Sequence, residues 1–81
     1  MSKMKYIRFE EMGIVIFESH IPHDVMARRL QEKPISAGFV NFPESDKYGT
    51  KATCYDESVS LNLKSTEADT NRLQRLINPY A

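Results

Sequence analysis

Residues 58–64 alternate polar and apolar side chains without a break. This period-2 pattern is typical of a β-strand with one face in a core and the other in water. It predicts a strand that turns its apolar residues inward: Val59, Leu61 and Leu63. A shorter strand is predicted at residues 51–55. Asp56 and Glu57 would form the turn between the two strands, which makes a hairpin near the C-terminal end.

A second hairpin is predicted near the N-terminal end. Residues 5–10 alternate, with Ile7 and Phe9 on one face, and residues 14–18 are β-branched and aromatic, as in a buried strand. Gly13 between them can adopt the positive φ of a tight turn. Residues 35–42 are predicted as a further strand with apolar side chains on both faces. Residues 43–50 have the composition of a loop.

Two segments change to a helical period. The first covers residues 20–33, where an apolar stripe recurs at helical spacing and Pro34 ends the pattern. The second covers residues 66–78 and is stopped by Asn78-Pro79. Thr66 and Asp69 have the spacing of a weak capping box at its start.

The resulting order, β-β-α-β-β-β-α, predicts an α+β fold with a small mixed or antiparallel sheet of about five strands and two helices packed on it. The helices could lie against one face of the sheet, or at one end of a sheet that curls into a partial barrel. The sequence has 81 residues, which suits a single domain over residues 1–81.

Charge and cysteine content narrow the classes of function. Eleven basic and eleven acidic residues cancel, so no net field attracts nucleic acid or anionic lipid. The single cysteine, Cys54, excludes an internal disulfide. The longest apolar run, residues 14–17, is far shorter than the ~20 residues of a membrane helix, and no secretory signal is visible. We therefore expect no membrane association and a cytoplasmic location.

Three segments carry a resemblance. They are residues 35–40 (ISAGFV), residues 54–65 (CYDESVSLNLKS) and the helix at residues 23–30 (HDVMARRL). Together they resemble small uncharacterised proteins of bacteria and their prophages. The resemblance implies a bacterial or phage origin and a cytoplasmic setting, and it supplies no activity, cofactor or catalytic residue.

A small metal-binding or enzymatic protein could use His20, His23 and Cys54. The histidines are three apart, so on a helix they would share a face and could reach one metal ion. A closed zinc site needs further ligands that the spacing does not provide. Cys54 alternates in phase with Ala52, which is typical of a small buried side chain. The favoured expectation is therefore no metal, no cofactor and no catalytic residue.

The favoured function is a non-catalytic macromolecule-binding domain that contacts another protein or forms a homodimer. Apolar residues would be exposed on the second face of the sheet if both helices cover the first: Val15, Phe17, Val40 and Phe42. A sheet that curls would bury them instead. The alternative function is weak nucleic-acid binding by cationic and aromatic residues of the first strand: Lys3, Lys5, Tyr6 and Arg8.

Overall fold

The computed structural model describes residues 2–42 and 52–77, with side chains at residues 4–41 and 52–76; the loop predicted at residues 43–50 lies outside this part. The elements are β1 (Ser2–Phe9), β2 (Gly13–Glu18), α1 (His23–Leu30), β3 (Pro34–Phe42), β4 (Thr53–Tyr55), β5 (Glu57–Ser58), β6 (Leu63–Lys64) and α2 (Glu67–Ile77). The α+β class is confirmed. None of the described helices is long and apolar enough to cross a membrane.

The main sheet is antiparallel and four-stranded, in the order β2-β1-β3-β4. β1 is central and pairs with β2 on one side and β3 on the other, so that Tyr6 lies between Ile16 and Gly38. β5 and β6 form a separate two-stranded sheet. β2 and β4 therefore end the main sheet.

The two helices cover opposite faces of this sheet. On the α2 side, the buried apolar residues are Tyr6, Val40, Ala52, Cys54 and Leu73. On the α1 side, they are Ile7, Phe9, Phe17 and Ala37. The arrangement with both helices on one face is therefore wrong. Strands β1 and β3 carry apolar side chains on both faces, so burying these side chains requires an element packed against each face.

The single strand predicted at residues 58–64 is also wrong. The chain forms a tight hairpin, in which β5 and β6 are joined by a turn. The Ser58 hydroxyl accepts a hydrogen bond from the Leu61 amide at 3.3 Å, and Asn62 takes the left-handed conformation with φ 55°. Such local side-chain bonds compete with an extended strand. As a result Ser58 is buried, and Val59, predicted to point inward, is 87% exposed.

Helix α1 is shorter than the predicted 20–33. It begins at His23 after Pro22, which occupies the N-cap position, and it is followed by Gln31 in the left-handed conformation. The Gln31 amide donates to the Ala27 carbonyl at 3.2 Å, closing the last turn. The helix therefore ends before the Pro34 that was expected to stop it.

Gly38 marks a place where the chain crosses β3 closely. A Cβ atom there would lie 2.5 Å from the Tyr55 carbonyl oxygen and 3.2 Å from that of Asp56. Only glycine leaves room for this backbone approach. The β5–β6 hairpin therefore packs against β3.

Candidate functional site

Two of the four apolar residues predicted as protein contacts are buried. Val40 is fully buried and Phe17 is 6% exposed, so these two side chains lack the exposure that would follow if both helices covered one face. The reason is that each sheet face is covered by its own helix. Val15 is half-buried, and the side chain of Phe42 lies outside the described part.

The predicted nucleic-acid residues do not form an open stacking surface. Tyr6 is fully buried, and Arg8 pairs with Asp69 at 3.3 Å. The Lys5 ammonium donates to the Ile21 carbonyl at 2.9 Å. The side chain of Lys3 lies outside the described part.

A buried carboxylate, Asp69, lies at the centre of the α2 side. The Tyr6 hydroxyl donates to it at 2.6 Å and the Arg8 guanidinium at 3.3 Å. Burial alone raises the pKa of Asp69 and is the largest effect. Interactions with Tyr6, Ser36, Arg8 and Thr66 together outweigh it, so the pKa is lowered. The Ser36 hydroxyl faces this carboxylate without the geometry of a full hydrogen bond.

Asp69 also completes the start of α2. The Asp69 amide donates to the Thr66 hydroxyl at 3.1 Å, and the Thr66 amide donates to the Asp69 carboxylate at 3.3 Å. The predicted capping box is therefore confirmed. Burial and the same carboxylate raise the pKa of the Tyr6 hydroxyl well above its usual range. The cluster holds α2 on the sheet, and the Asp69 carboxylate at its centre has no exposed surface.

The candidates for metal or nucleophilic chemistry are not brought together. His20 is exposed and contacts Glu18 at 3.1 Å. His23 packs on the α1 side of the sheet, whereas Cys54 is buried on the α2 side. Burial raises the pKa of the Cys54 thiol to about 11, which removes the thiolate that a nucleophile needs. Among the described residues, no three metal-ligating side chains form a group.

His23 is a packed and hydrogen-bonded residue of the core on the α1 side. Its Nε2 donates to the Gly38 carbonyl at 2.8 Å, and its ring lies edge-on between Phe17 and Phe39, each with centroids 5.6 Å away. Burial lowers the pKa of the imidazole; the Gly38 bond and Asp24 oppose this effect, and Lys5 adds to it. The ring is therefore neutral at physiological pH and fixes the start of α1 to the middle of β3.

The most informative surface is the outer edge of β2. Within residues 2–42 and 52–77, the only strand paired with β2 is β1, so the other edge presents its N–H and C=O groups outward. Its central residues are apolar and half-buried: Ile14, Val15 and Ile16. The pairing between β1 and β2 runs without a register shift. Within the described part of the chain, this edge is therefore apolar, free of bulges and without a strand beside it.

A groove lies between the start of β2 and α2. It has a volume of about 410 Å³ and is lined by Met12, Gly13, Ile14, Arg72, Arg75 and Leu76. Met12 is 48% and Leu76 is 66% exposed, so the groove contains two large apolar side chains that are accessible to a ligand. No ion pair among the described residues involves either arginine. We define the outer edge of β2 and this groove together as the β2 edge site.

The sequence contained a partial signal for this site. Leu76 belongs to the apolar stripe of the last helix, yet that stripe extends beyond the area that the sheet covers. Met12 lies in a turn, and a turn has no hydrophobic periodicity from which its position at a surface groove could be predicted. The strand order that puts β2 at an edge has no counterpart in local patterning.

Comparison of the chain with protein-family models, with curated proteins and with solved structures gave no match.

Proposed function

We propose that the chain is a non-catalytic protein-binding domain that accepts an extended segment of a partner as an additional strand beside β2. The observation that carries this proposal is the edge of β2, which has no neighbouring strand among residues 2–42 and 52–77, with an apolar and cationic groove between β2 and α2. In strand addition, main-chain hydrogen bonds supply affinity, and pockets for alternate side chains supply specificity. The β2 edge site offers both.

The composition of β2 supports this role. Sheet edges in soluble proteins are usually protected by short length, lysine, proline or a bulge. The other edge strand, β4, has only three residues. β2 has six residues, GIVIFE, without lysine, proline or a bulge. An unprotected edge strand of this kind promotes aggregation unless another strand pairs with it.

The groove defines the chemistry of the partner segment. Side chains of an added strand that point towards α2 would meet Met12, Ile14 and Leu76, and then the guanidinium groups of Arg72 and Arg75. Apolar residues suit the first part and a carboxylate suits the second, because arginine binds carboxylates with paired hydrogen bonds. The preferred partner is thus an extended segment that alternates apolar and acidic residues on one face.

A bacterial or phage cytoplasm belongs to the same proposal. It is the setting that the resemblance of residues 35–40 and 54–65 implies, and a lone buried thiol at Cys54 suits a reducing compartment.

An NMR titration with synthetic peptides tests the function. The probe is an extended peptide with apolar and glutamate side chains on one face, and its matched control has lysine in place of each glutamate. We expect the first peptide to shift the amides of β2 and the side chains of Arg72 and Arg75, and the control to bind at least about tenfold more weakly.

Two variants locate the binding surface. Ile14→Lys places a charge at the β2 edge site and should abolish the shifts, whereas Thr53→Lys makes the same kind of change on edge strand β4 and should leave them intact. The proposal is overturned if the peptide leaves β2 unperturbed, or if both lysine variants respond alike.

A further inference from the structure

We infer that the segment bound at the β2 edge site is β2 of a second copy of this chain, so that two sheets join across a two-fold axis. This inference rests on the proposed function and names the partner. It follows from the phase of the side chains along β2 and from the position of one acidic residue, Glu18.

The side chains of β2 divide strictly between the two faces. Ile14, Ile16 and Glu18 lie opposite Arg8, Tyr6 and Met4 of β1, respectively. Tyr6 and Arg8 contact Asp69 of α2, so this set points to the α2 side. Alternate residues of a strand share a face. Glu18 therefore projects from the same face as the groove.

A symmetric antiparallel pairing restricts the register. Residues directly opposite each other in an antiparallel pair have side chains on the same face. With α2 of both copies on the same side of the joined sheet, an even-numbered residue must therefore face an even-numbered one. The two such registers that use most of β2 centre on Val15 or on Ile16, each opposite its own copy.

Both registers bring opposite charges together. With Val15 at the centre, Glu18 of the second copy lies opposite Met12; with Ile16 at the centre, it lies opposite Ile14. Met12 and Ile14 both line the groove that contains Arg72 and Arg75. The acidic end of one β2 thus reaches the arginines of the other copy, and the two-fold axis repeats the contact.

This charge pairing is not satisfied within one chain. Glu18 lies about 13 Å along the strand from Ile14, given a rise of about 3.3 Å per residue. Its only described ion pair is with His20, where the side chains are 73% (His20) and 70% (Glu18) exposed, so the contact is weak. A second copy brings a carboxylate to Arg72 and Arg75, which have no ion pair within the described ranges, and an apolar strand that covers Met12 and Leu76.

Sedimentation velocity over a range of concentrations, together with hydrogen exchange, tests the inference on the full chain. We expect a reversible dimer whose formation slows exchange at the amides of β2. Glu18→Arg should raise the dimer dissociation constant at least about tenfold, because it places like charges together. Glu57→Arg, the same change at an exposed position on the β5–β6 hairpin, should leave it unchanged.

Charge exchange provides a stricter measurement. Combining Glu18→Arg with Arg72→Glu and Arg75→Glu should restore dimerisation to within about threefold of the original, since the contact is re-formed with reversed signs. A chain that is monomeric at every concentration, or a dimer indifferent to Glu18→Arg, overturns the inference. If the monomer still binds the acidic peptide at β2, the proposed function stands while self-pairing fails.

Discussion

Replacing Gly38 with alanine tests how the chain crosses β3. The added Cβ would lie 2.5 Å from the Tyr55 carbonyl oxygen, about 0.8 Å closer than an ordinary carbon–oxygen contact. It would also lie 3.2 Å from the Asp56 carbonyl oxygen and from the Ser65 Cβ. Two of these three neighbours are backbone atoms, so they cannot turn aside as a flexible side chain would.

The expected cost is about 2–3 kcal/mol, the upper part of the range for overpacked sites. Alanine also restricts the unfolded chain, which offsets about 0.4–1 kcal/mol. The net loss is about 2 kcal/mol in the free energy of unfolding, or about 8–16 °C in Tm for a chain of this size. Urea unfolding followed by circular dichroism measures it, and Gly38→Ser should cost more than Gly38→Ala because it is larger.

Gly13 provides the control. It has φ 88° but open space around its missing Cβ, so only backbone conformation opposes a side chain there. At this position asparagine should be tolerated better than alanine, because asparagine adopts the left-handed region more readily. A Gly38→Ala protein as stable as the original would refute the crowding argument, as would an asparagine advantage at Gly38.

Two further predictions concern the buried polar groups. Tyr6→Phe should lower the free energy of unfolding by about 1.5–3 kcal/mol, because it leaves the Asp69 carboxylate buried with one donor fewer; equal urea midpoints would contradict this. His23 has a folded pKa below its usual 6.5, so the unfolded chain binds the proton more strongly. The contribution of His23 should therefore be complete above about pH 6.5, and unfolding curves should show stability falling as the pH drops from about 6.5 to about 5, above the range in which Asp69 titrates. This fall should be absent in His23→Gln and retained in His20→Gln. A flat profile over the same range for the original chain would count against the burial of His23.

The sequence predicted the elements whose patterns are local. The alternation at residues 5–10 and the helical period at residues 66–78 are set by neighbours along the chain, and both elements form. Residues 58–64 alternate equally well, yet they fold as a hairpin. The Ser58 hydroxyl and the left-handed conformation of Asn62 stabilise a turn, and the spacing of apolar residues does not predict it.

The site was less predictable because it depends on contacts between distant residues. Asp69 looked like a capping residue, and it is one, but its hydrogen bond to Tyr6 spans 63 positions of the chain. Periodicity shows that a strand exists, not which strand lies beside it. The edge position of β2 and its nearness to Arg72 therefore became visible only with the strand order.

The bond between Tyr6 and Asp69 also has a consequence for synthesis. Because 63 positions separate the two residues, β1 leaves the ribosome long before α2 exists. Until then, one face of the nascent sheet has no cover, and the β2 edge is open beside it. Helix α2 is thus the last element to pack, and its packing completes the core on that face. A nascent chain stalled before residue 69 should remain sensitive to proteases and prone to pair with its neighbours on the same polysome.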